Sequence, residues 1–290
     1  MIEFCGLELE HPIINASGCF DALAAREVFG DALIKPFPFA AYVSKTVTLA
    51  PRAGNPPPRL WETAGGMLNS IGLPNPGIDF YLERHLGEYA KLGVPLITNV
   101  MGSSEAEFAA LLERVAEREE VAAIELNVSC PNVATGLDIG ADPAGLRSLL
   151  VALRPLTRKP LIVKLTPNTA DVGACALAAQ DGGADAVSLI NTLRAMALSP
   201  ASGRPWLGGR TGGMSGPAIR AVALAQVAAV AERVSVPIIG MGGVASGRDA
   251  AALLEVGARL VAVGTESFRD PAAGHRIANE LSARFAENAA

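Results

Sequence analysis

The sequence predicts an α/β protein built as a (β/α)8 barrel of the TIM type, and three observations carry that expectation. Eight short runs are almost wholly apolar, as strands buried on both faces must be. Helix-like stretches separate them, so strand and helix alternate through nearly the whole chain, the pattern of a parallel sheet covered by helices. Most successive runs begin 23 to 38 residues apart, room for one strand, one helix and two short turns. A doubly wound open sheet obeys the same alternation and is the alternative. No linker, composition break or short repeat divides residues 1–290, so one domain is expected.

In order, Glu3 to Glu10 alternates around Cys5-Gly6 and reads as a β-hairpin able to plug the bottom of a barrel. The barrel strands are expected near residues 13–17, 42–46, 95–100, 123–129, 161–166, 186–192, 237–242 and 260–265. Helices are expected over Ser104–Arg118, Pro143–Leu153, Ala170–Gln180, Pro217–Val234 and Ser246–Val256. Ser103 or Ser104, Asp142, Thr169, Ser215 and Ser246 stand where N-caps belong, because a short side-chain oxygen there accepts an otherwise unpaired helix N–H. Two intervals are longer: Val47 to Pro76 after the second strand, rich in Gly, Pro and Asn, and Leu193 to Gly213 after the sixth. Both inserts leave the C-terminal end of a strand, the rim where such barrels place their sites, and both are expected to act as lids.

The totals exclude several classes of function. Charged residues make up 18% of the chain and its formal charge is −5, which leaves no basic surface for nucleic acid. No run of about 18 apolar residues exists, so no membrane-spanning helix is expected. The N-terminus, Met1-Ile-Glu-Phe-Cys-Gly-Leu-Glu8, alternates and is acidic, unlike an export signal, and a cytoplasmic location is expected. Cys5, Cys19, Cys130 and Cys175 are widely separated, which rules out the clustered spacings of zinc and iron–sulfur sites; no metal is expected. His11, His85 and His275 stand alone, so histidine chemistry is not expected either.

The chemistry gathers where the strands end. The fourth run stops at Cys130-Pro131, because Pro131 has no N–H to give and restricts the residue before it. A thiol is thus flanked by two carboxamides, Asn127 and Asn132. Other strands end in Lys45-Thr46, Asn99, Lys164, Asn191-Thr192, Gly242-Gly243 and Gly264-Thr265. Each has a plainer reading alone: a turn-forming Asn, a snorkelling Lys, a small buried Cys. Burying a polar side chain unpaired costs roughly 2–7 kcal/mol, so their joint placement points to a shared polar ligand. Gly242, Gly243, Gly264 and Thr265 would let backbone N–H groups approach a phosphate, with a helix starting near Ser246 adding its positive end. Gly240 to Gly247 lacks the G-x-G-x-x-G spacing of a dinucleotide loop and reads as a mononucleotide cradle. A thiol has a reference pKa of about 8.5, and a modest downward shift makes Cys130 a useful base near neutrality.

Further motifs join these in order over essentially the whole chain: Ala16-Ser-Gly18, Ser44-Lys-Thr46, Met67-Leu-Asn-Ser-Ile-Gly-Leu73, Asn127-Val-Ser-Cys-Pro-Asn132, Val163-Lys-Leu165, Ile190-Asn-Thr192, Gly212-Gly-Met-Ser-Gly-Pro217, Ile239-Gly-Met-Gly-Gly243 and Val263-Gly-Thr265. In these the chain resembles the class 1 dihydroorotate dehydrogenases, FMN-dependent barrels of pyrimidine biosynthesis. The resemblance implies FMN across the barrel mouth. Its phosphate would rest on Gly242, Gly243, Gly264 and Thr265 with Gly216 nearby, and its ring would meet Ser17, Lys45, Thr46, Asn99, Asn127, Lys164 and Ile190. Dihydroorotate would stack on the ring, held by Lys45, Asn69, Ser70, Ile71, Gly72, Leu73, Asn127, Asn132, Asn191 and Thr192. Cys130 would be the base on the opposite face.

The signature Met67 to Leu73 and the pair Asn191-Thr192 are similar to the NAD-linked subclass. There an iron–sulfur, FAD-containing electron-transfer subunit passes electrons onward to NAD, and the resemblance implies such a partner within a homodimer or heterotetramer. Fumarate is the alternative acceptor. Two other readings remain at this level: an FMN barrel acting on other dihydropyrimidines, and a flavin-free lyase using Lys164 as a Schiff-base amine.

Overall fold

The computed structural model describes residues 1–128 and 139–289. Strands β1 (Ile2–Phe4) and β2 (Leu7–Leu9) form the expected antiparallel hairpin, with Ile2 opposite Leu9. Both turn residues have positive φ, 50° at Cys5 and 81° at Gly6, the backbone a tight two-residue hairpin turn requires. Next come β3 (Ile13–Asn15), β4 (Tyr42–Val43) and two insert strands, β5 (Leu60–Thr63) and β6 (Gly66–Asn69). Barrel strands β7 (Leu96–Val100), β8 (Val121–Asn127), β9 (Leu161–Lys164) and β10 (Ala186–Leu189) follow. Then come insert strands β11 (Leu193–Ala195) and β12 (Gly212–Ser215), and the last barrel strands, β13 (Ile238–Met241) and β14 (Leu260–Val263).

The eight barrel strands run parallel in the order β3-β14-β13-β10-β9-β8-β7-β4. At the seam between β3 and β4 the buried carboxamide of Asn15 stands in for a strand neighbour. It donates to the Val43 carbonyl at 2.7 Å and accepts from the Val43 N–H at 2.8 Å. One side chain thereby satisfies both polar groups of a backbone unit that would otherwise be buried unpaired.

Side-chain alternation divides the barrel into layers. Ile14, Ile97, Ala123, Ile162, Ile239 and Leu260 pack inside the lower barrel, and Phe4 and Leu9 of the hairpin join that cluster as its plug. Two residues further along β7, β8, β9 and β10 the buried residues are polar: Asn99, Glu125, Lys164 and Ser188. The outer face of the sheet packs under the helices in a second, larger apolar cluster. Ser104, Asp142 and Ser246 cap their helices as expected. Two caps differ. Asp171, not Thr169, caps the helix Val172–Asp181, accepting from Ala174 N–H at 2.9 Å. Ser215 caps nothing, because a 3-10 turn at Pro217–Ile219 intervenes before the helix Arg220–Ala231. Among the described residues no helix is long and apolar enough to cross a membrane.

The two inserts are not separate lids. They pair into one antiparallel sheet, order β11-β12-β6-β5, with Gly213 opposite Asn69 and Ser215 opposite Met67. Glycine permits this contact: a Cβ on Gly66 would stand 1.9 Å from the Ser215 carbonyl oxygen, and one on Gly216 would stand 2.8 Å from Gly66 Cα. Gly66→Ala is therefore expected to pry β6 from β12 and destabilise the protein by about 1–3 kcal/mol, as overpacking does. Thermal unfolding reads this; an unchanged midpoint would mean that the inserts do not depend on each other.

Candidate active site

A cavity of about 350 Å³ opens at the C-terminal rim of the barrel, between the strand ends and the insert sheet. That volume lies within the usual range of small-molecule sites. From the strands and the residues just past them it collects Ser17, Lys45, Thr46, Asn127, Lys164 and Ile190. Further along the loops it collects Asn191, Thr192, Gly242, Gly243, Gly264 and Thr265. The insert sheet and the segments that leave it supply Asn69, Ile71, Gly72, Leu73 and Gly216. Two expected residues are not in the lining. Ser70, just past the end of β6, is buried and accepts from Asn55 Nδ2 at 3.0 Å. Asn99 lies inside the barrel, donating from Nδ2 to Glu125 at 2.5 Å, while its Oδ1 is buried with no partner among the described residues. Cys130 and Asn132 lie outside the described residues. The described chain leaves β8 at Val128 and resumes at Ile139, and Gly140 N–H donates to the Val128 carbonyl at 3.1 Å.

The floor is charged. Lys164 is 6% exposed and its ammonium has no hydrogen-bond or ion-pair partner among the described residues; nor has the ammonium of the half-buried Lys45. Their fields reach Cys19 in the same lining: burial pushes its thiol pKa up, while Lys164 and then Lys45 pull it down. Buried Glu125 lies in the same polar layer and accepts from Asn99 and, at 2.7 Å, from Ser188 Oγ. Asn127 Nδ2 donates to Thr46 Oγ1 at 3.3 Å, tying the ends of β8 and β4 together.

The loop after β13 takes a path only glycine adopts readily, with φ 132° at Gly242 and 73° at Gly243. It is braced from behind. Asp249, ion-paired to Arg220, accepts from Ala245 N–H at 3.1 Å. Arg276 donates to the Ala245 carbonyl at 3.0 Å, and Glu280 accepts from Gly247 N–H at 2.7 Å.

These residues fit a flavin mononucleotide. Backbone N–H groups along Gly242–Gly243 and Gly264–Thr265 would meet the phosphate. Gly264 faces Cys19 and Ala16 of the same lining, which a Cβ built there would meet at 3.4 and 3.7 Å, ordinary contact distances. Ile190 and Met241 give an apolar wall for a ring, and the unpartnered ammonium of Lys164 suits a group that gathers negative charge. Among the described residues no group of three or more His, Cys, Asp or Glu is placed to hold a metal.

The family model for dihydroorotate dehydrogenase matches residues 1–285. The chain belongs to the dihydroorotate dehydrogenase family. Among relatives, it is 44% identical over 288 residues to the Geobacter metallireducens protein named dihydroorotate dehydrogenase B (NAD(+)), catalytic subunit; the match covers 99% of this chain and 93% of that one. The Pelobacter propionicus protein of the same name is 46% identical over 281 residues, 97% of this chain and 91% of that one. Among solved structures, DHODH from Eimeria tenella in complex with ferulenol superposes with a TM-score of 0.82 over 99% of this chain and 85% of that one. At 24% identity that likeness speaks for the shared fold alone.

The cavity also contains residues outside the strand-end motifs. Cys19 directly follows the Ala16-Ser-Gly18 motif, whose position in the sequence marks it as part of the rim. Leu60 and Phe268, 51% and 58% exposed, line its outer edge with Arg269. No periodic signal marks them, since Phe268 ends a 3-10 turn and Leu60 lies on an edge strand. Asn168 does not line the cavity but holds one of its walls, donating to the Thr192 carbonyl at 3.0 Å and accepting from Arg194 N–H at 2.9 Å.

Proposed function

We propose that this chain oxidises dihydroorotate to orotate with bound FMN, supplying the ring-oxidation step of pyrimidine biosynthesis. The observation that carries the reading is one cavity, in a member of this family, that joins two lysines without ion-pair partners, the carboxamides of Asn69, Asn127 and Asn191, and the glycine loops at 242–243 and 264. A dihydropyrimidine carboxylate is flat, anionic and edged with amide groups. Rigid carboxamides match such edges through fixed donor and acceptor faces, and Lys45 meets the carboxylate.

Oxidation removes a proton from one ring carbon and a hydride from its neighbour. FMN supplies the hydride acceptor when bound. Cys130 takes the proton, three residues past Asn127, as its thiolate becomes a thiol. Lys164 sets a positive charge beside the ring and favours the reduced form. The glycine loops at 242–243 and 264 would hold the phosphate and so limit where the ring could sit. Asn132 and Thr192 complete the substrate contacts.

The relatives are named as catalytic subunits of an NAD(+) enzyme. We infer that this chain likewise works with a second subunit, an iron–sulfur, FAD-containing electron carrier, in a homodimer or heterotetramer. The deciding experiment is anaerobic addition of dihydroorotate to the purified, FMN-loaded chain. Bleaching of the flavin supports the reading, and an unbleached flavin ends it. Reoxidation by NAD only when the partner is present supports the subclass; reoxidation by fumarate in the chain alone overturns it.

Charge distribution gives a further expectation. The inserts, 47–76 and 193–213, hold Arg52, Arg59, Arg194, Arg204 and Arg210 against Glu62 alone, whereas the whole chain is −5. None of those five arginines forms an ion pair among the described residues. Association of an anionic ligand is expected to slow roughly tenfold from low to high ionic strength, with dissociation little changed. Stopped-flow orotate binding measures it, and a salt-independent association rate would contradict it.

A further inference from the structure

Leu73 lines the cavity with its backbone in the left-handed region, φ 54°, directly after Gly72 at φ 75°. A branched side chain rarely takes that conformation, and it persists only where its surroundings over-determine it. Asn55 N–H donates to the Ile71 carbonyl at 2.9 Å, and one side chain holds Leu73 itself. Asn75 Nδ2 donates to the Leu73 carbonyl at 2.9 Å and to Thr48 Oγ1 at 2.9 Å. Asn75 Oδ1 accepts from Gly77 N–H at 2.9 Å and from Thr48 N–H at 3.2 Å. Its main chain pairs in both directions with Arg52, at 2.9 and 3.1 Å.

Thr48 is buried and lies three residues past Lys45, on a segment bound to β7 through Val47 N–H and the Asn99 carbonyl at 2.9 Å. Asn75 thus joins two parts of the cavity wall that are far apart in sequence: the Lys45–Thr46 strand end and the Ile71–Leu73 turn. It does not line the cavity itself.

We propose that Asn75 is a positioning residue that sets the substrate turn Ile71–Leu73 against the barrel strand bearing Lys45, and so governs affinity for the pyrimidine rather than for the flavin. The inference rests on the substrate reading above. The physical basis is the pair of donors on one amide nitrogen. An aspartate of the same shape keeps the acceptor for Gly77 and Thr48 N–H but faces the Leu73 carbonyl with a second acceptor, which repels it. The turn is then free to leave the left-handed conformation while the insert sheet and the glycine loops remain in place.

The test uses FMN-loaded holoprotein titrated with orotate, the flavin spectrum reporting binding, and single-turnover reduction at saturating dihydroorotate. Asn75→Asp and Asn75→Ala are expected to raise the orotate Kd by about tenfold or more, since misplacing a binding group by 1 Å has effects of that order. FMN content and the saturated reduction rate stay close to wild type. Thr48→Ala, which removes one of the two acceptors, raises Kd in the same direction, and Thr48→Ser restores it. A purely structural role would instead lower the melting temperature and FMN content and leave Kd unchanged. Unchanged Kd in the Asn75 variants overturns the proposal. So does loss of FMN or of soluble protein in them, if Thr48→Ala then binds orotate as wild type does. A wild-type holoprotein blind to orotate removes the substrate reading and this inference together; binding that the variants preserve removes the inference alone.

Discussion

Cys130→Ala is expected to keep its FMN and to lose about 10²–10⁴-fold in the rate at which dihydroorotate reduces it, the usual worth of a positioned general base. Alanine removes the only thiol among the strand-end motifs and leaves Asn127, Lys164 and the glycine loops intact. Flavin retention and substrate binding therefore separate from the chemical step. Cys130→Ser is the useful second variant. A hydroxyl has nearly the same size but holds its proton far more tightly than a thiol, so its reduction rate should fall at neutral pH and recover as pH rises. Stopped-flow reduction under anaerobic conditions reads both variants. Near-normal reduction in Cys130→Ala would remove the base assignment without touching the family assignment.

Lys164→Met is expected to act with opposite signs on the empty and the loaded protein. Lys164 is buried, and its ammonium has no partner among the described residues. A charge held out of water without a counter-charge destabilises the fold, so a methionine of similar length should stabilise the apoprotein by about 1–3 kcal/mol. The same substitution removes a charge-assisted contact to bound FMN, whose loss costs about 1.5–3 kcal/mol of binding, roughly tenfold to a hundredfold in Kd. Thermal unfolding of the apoprotein and flavin titration measure the two halves separately. An apoprotein that melts lower, with FMN affinity intact, would make Lys164 a structural residue and move the positive floor of the site to Lys45.

The residues of the site divide by how far each depends on its neighbours. The barrel strands were readable because a strand buried on both faces leaves a continuous apolar run, and Leu96–Val100 and Leu161–Lys164 are such runs. The rim residues were readable because a polar group ending such a run needs a reason to be there; Lys45, Asn127, Lys164 and Asn191 do meet in one cavity. Asn99 shows the limit of that argument. It ends a strand like the others, yet it turns to a buried carboxylate that lies 26 positions later in the chain. Ser70 shows it again: its neighbours Asn69 and Ile71 line the cavity, while its own hydroxyl accepts from Asn55.

Local pattern, then, was enough for the eight-fold alternation, the plugging hairpin, the positions of the inserts and most of the polar rim. These follow from which side chains a strand can bury and which it must satisfy, properties a short window of residues already contains. Pairing of the two inserts into one sheet, closure of the barrel by Asn15 and the hold of Asn75 on Leu73 came from the folded chain. Each is a hydrogen bond or a close backbone approach between segments with no shared period, and such contacts exist only after the barrel has brought distant residues together.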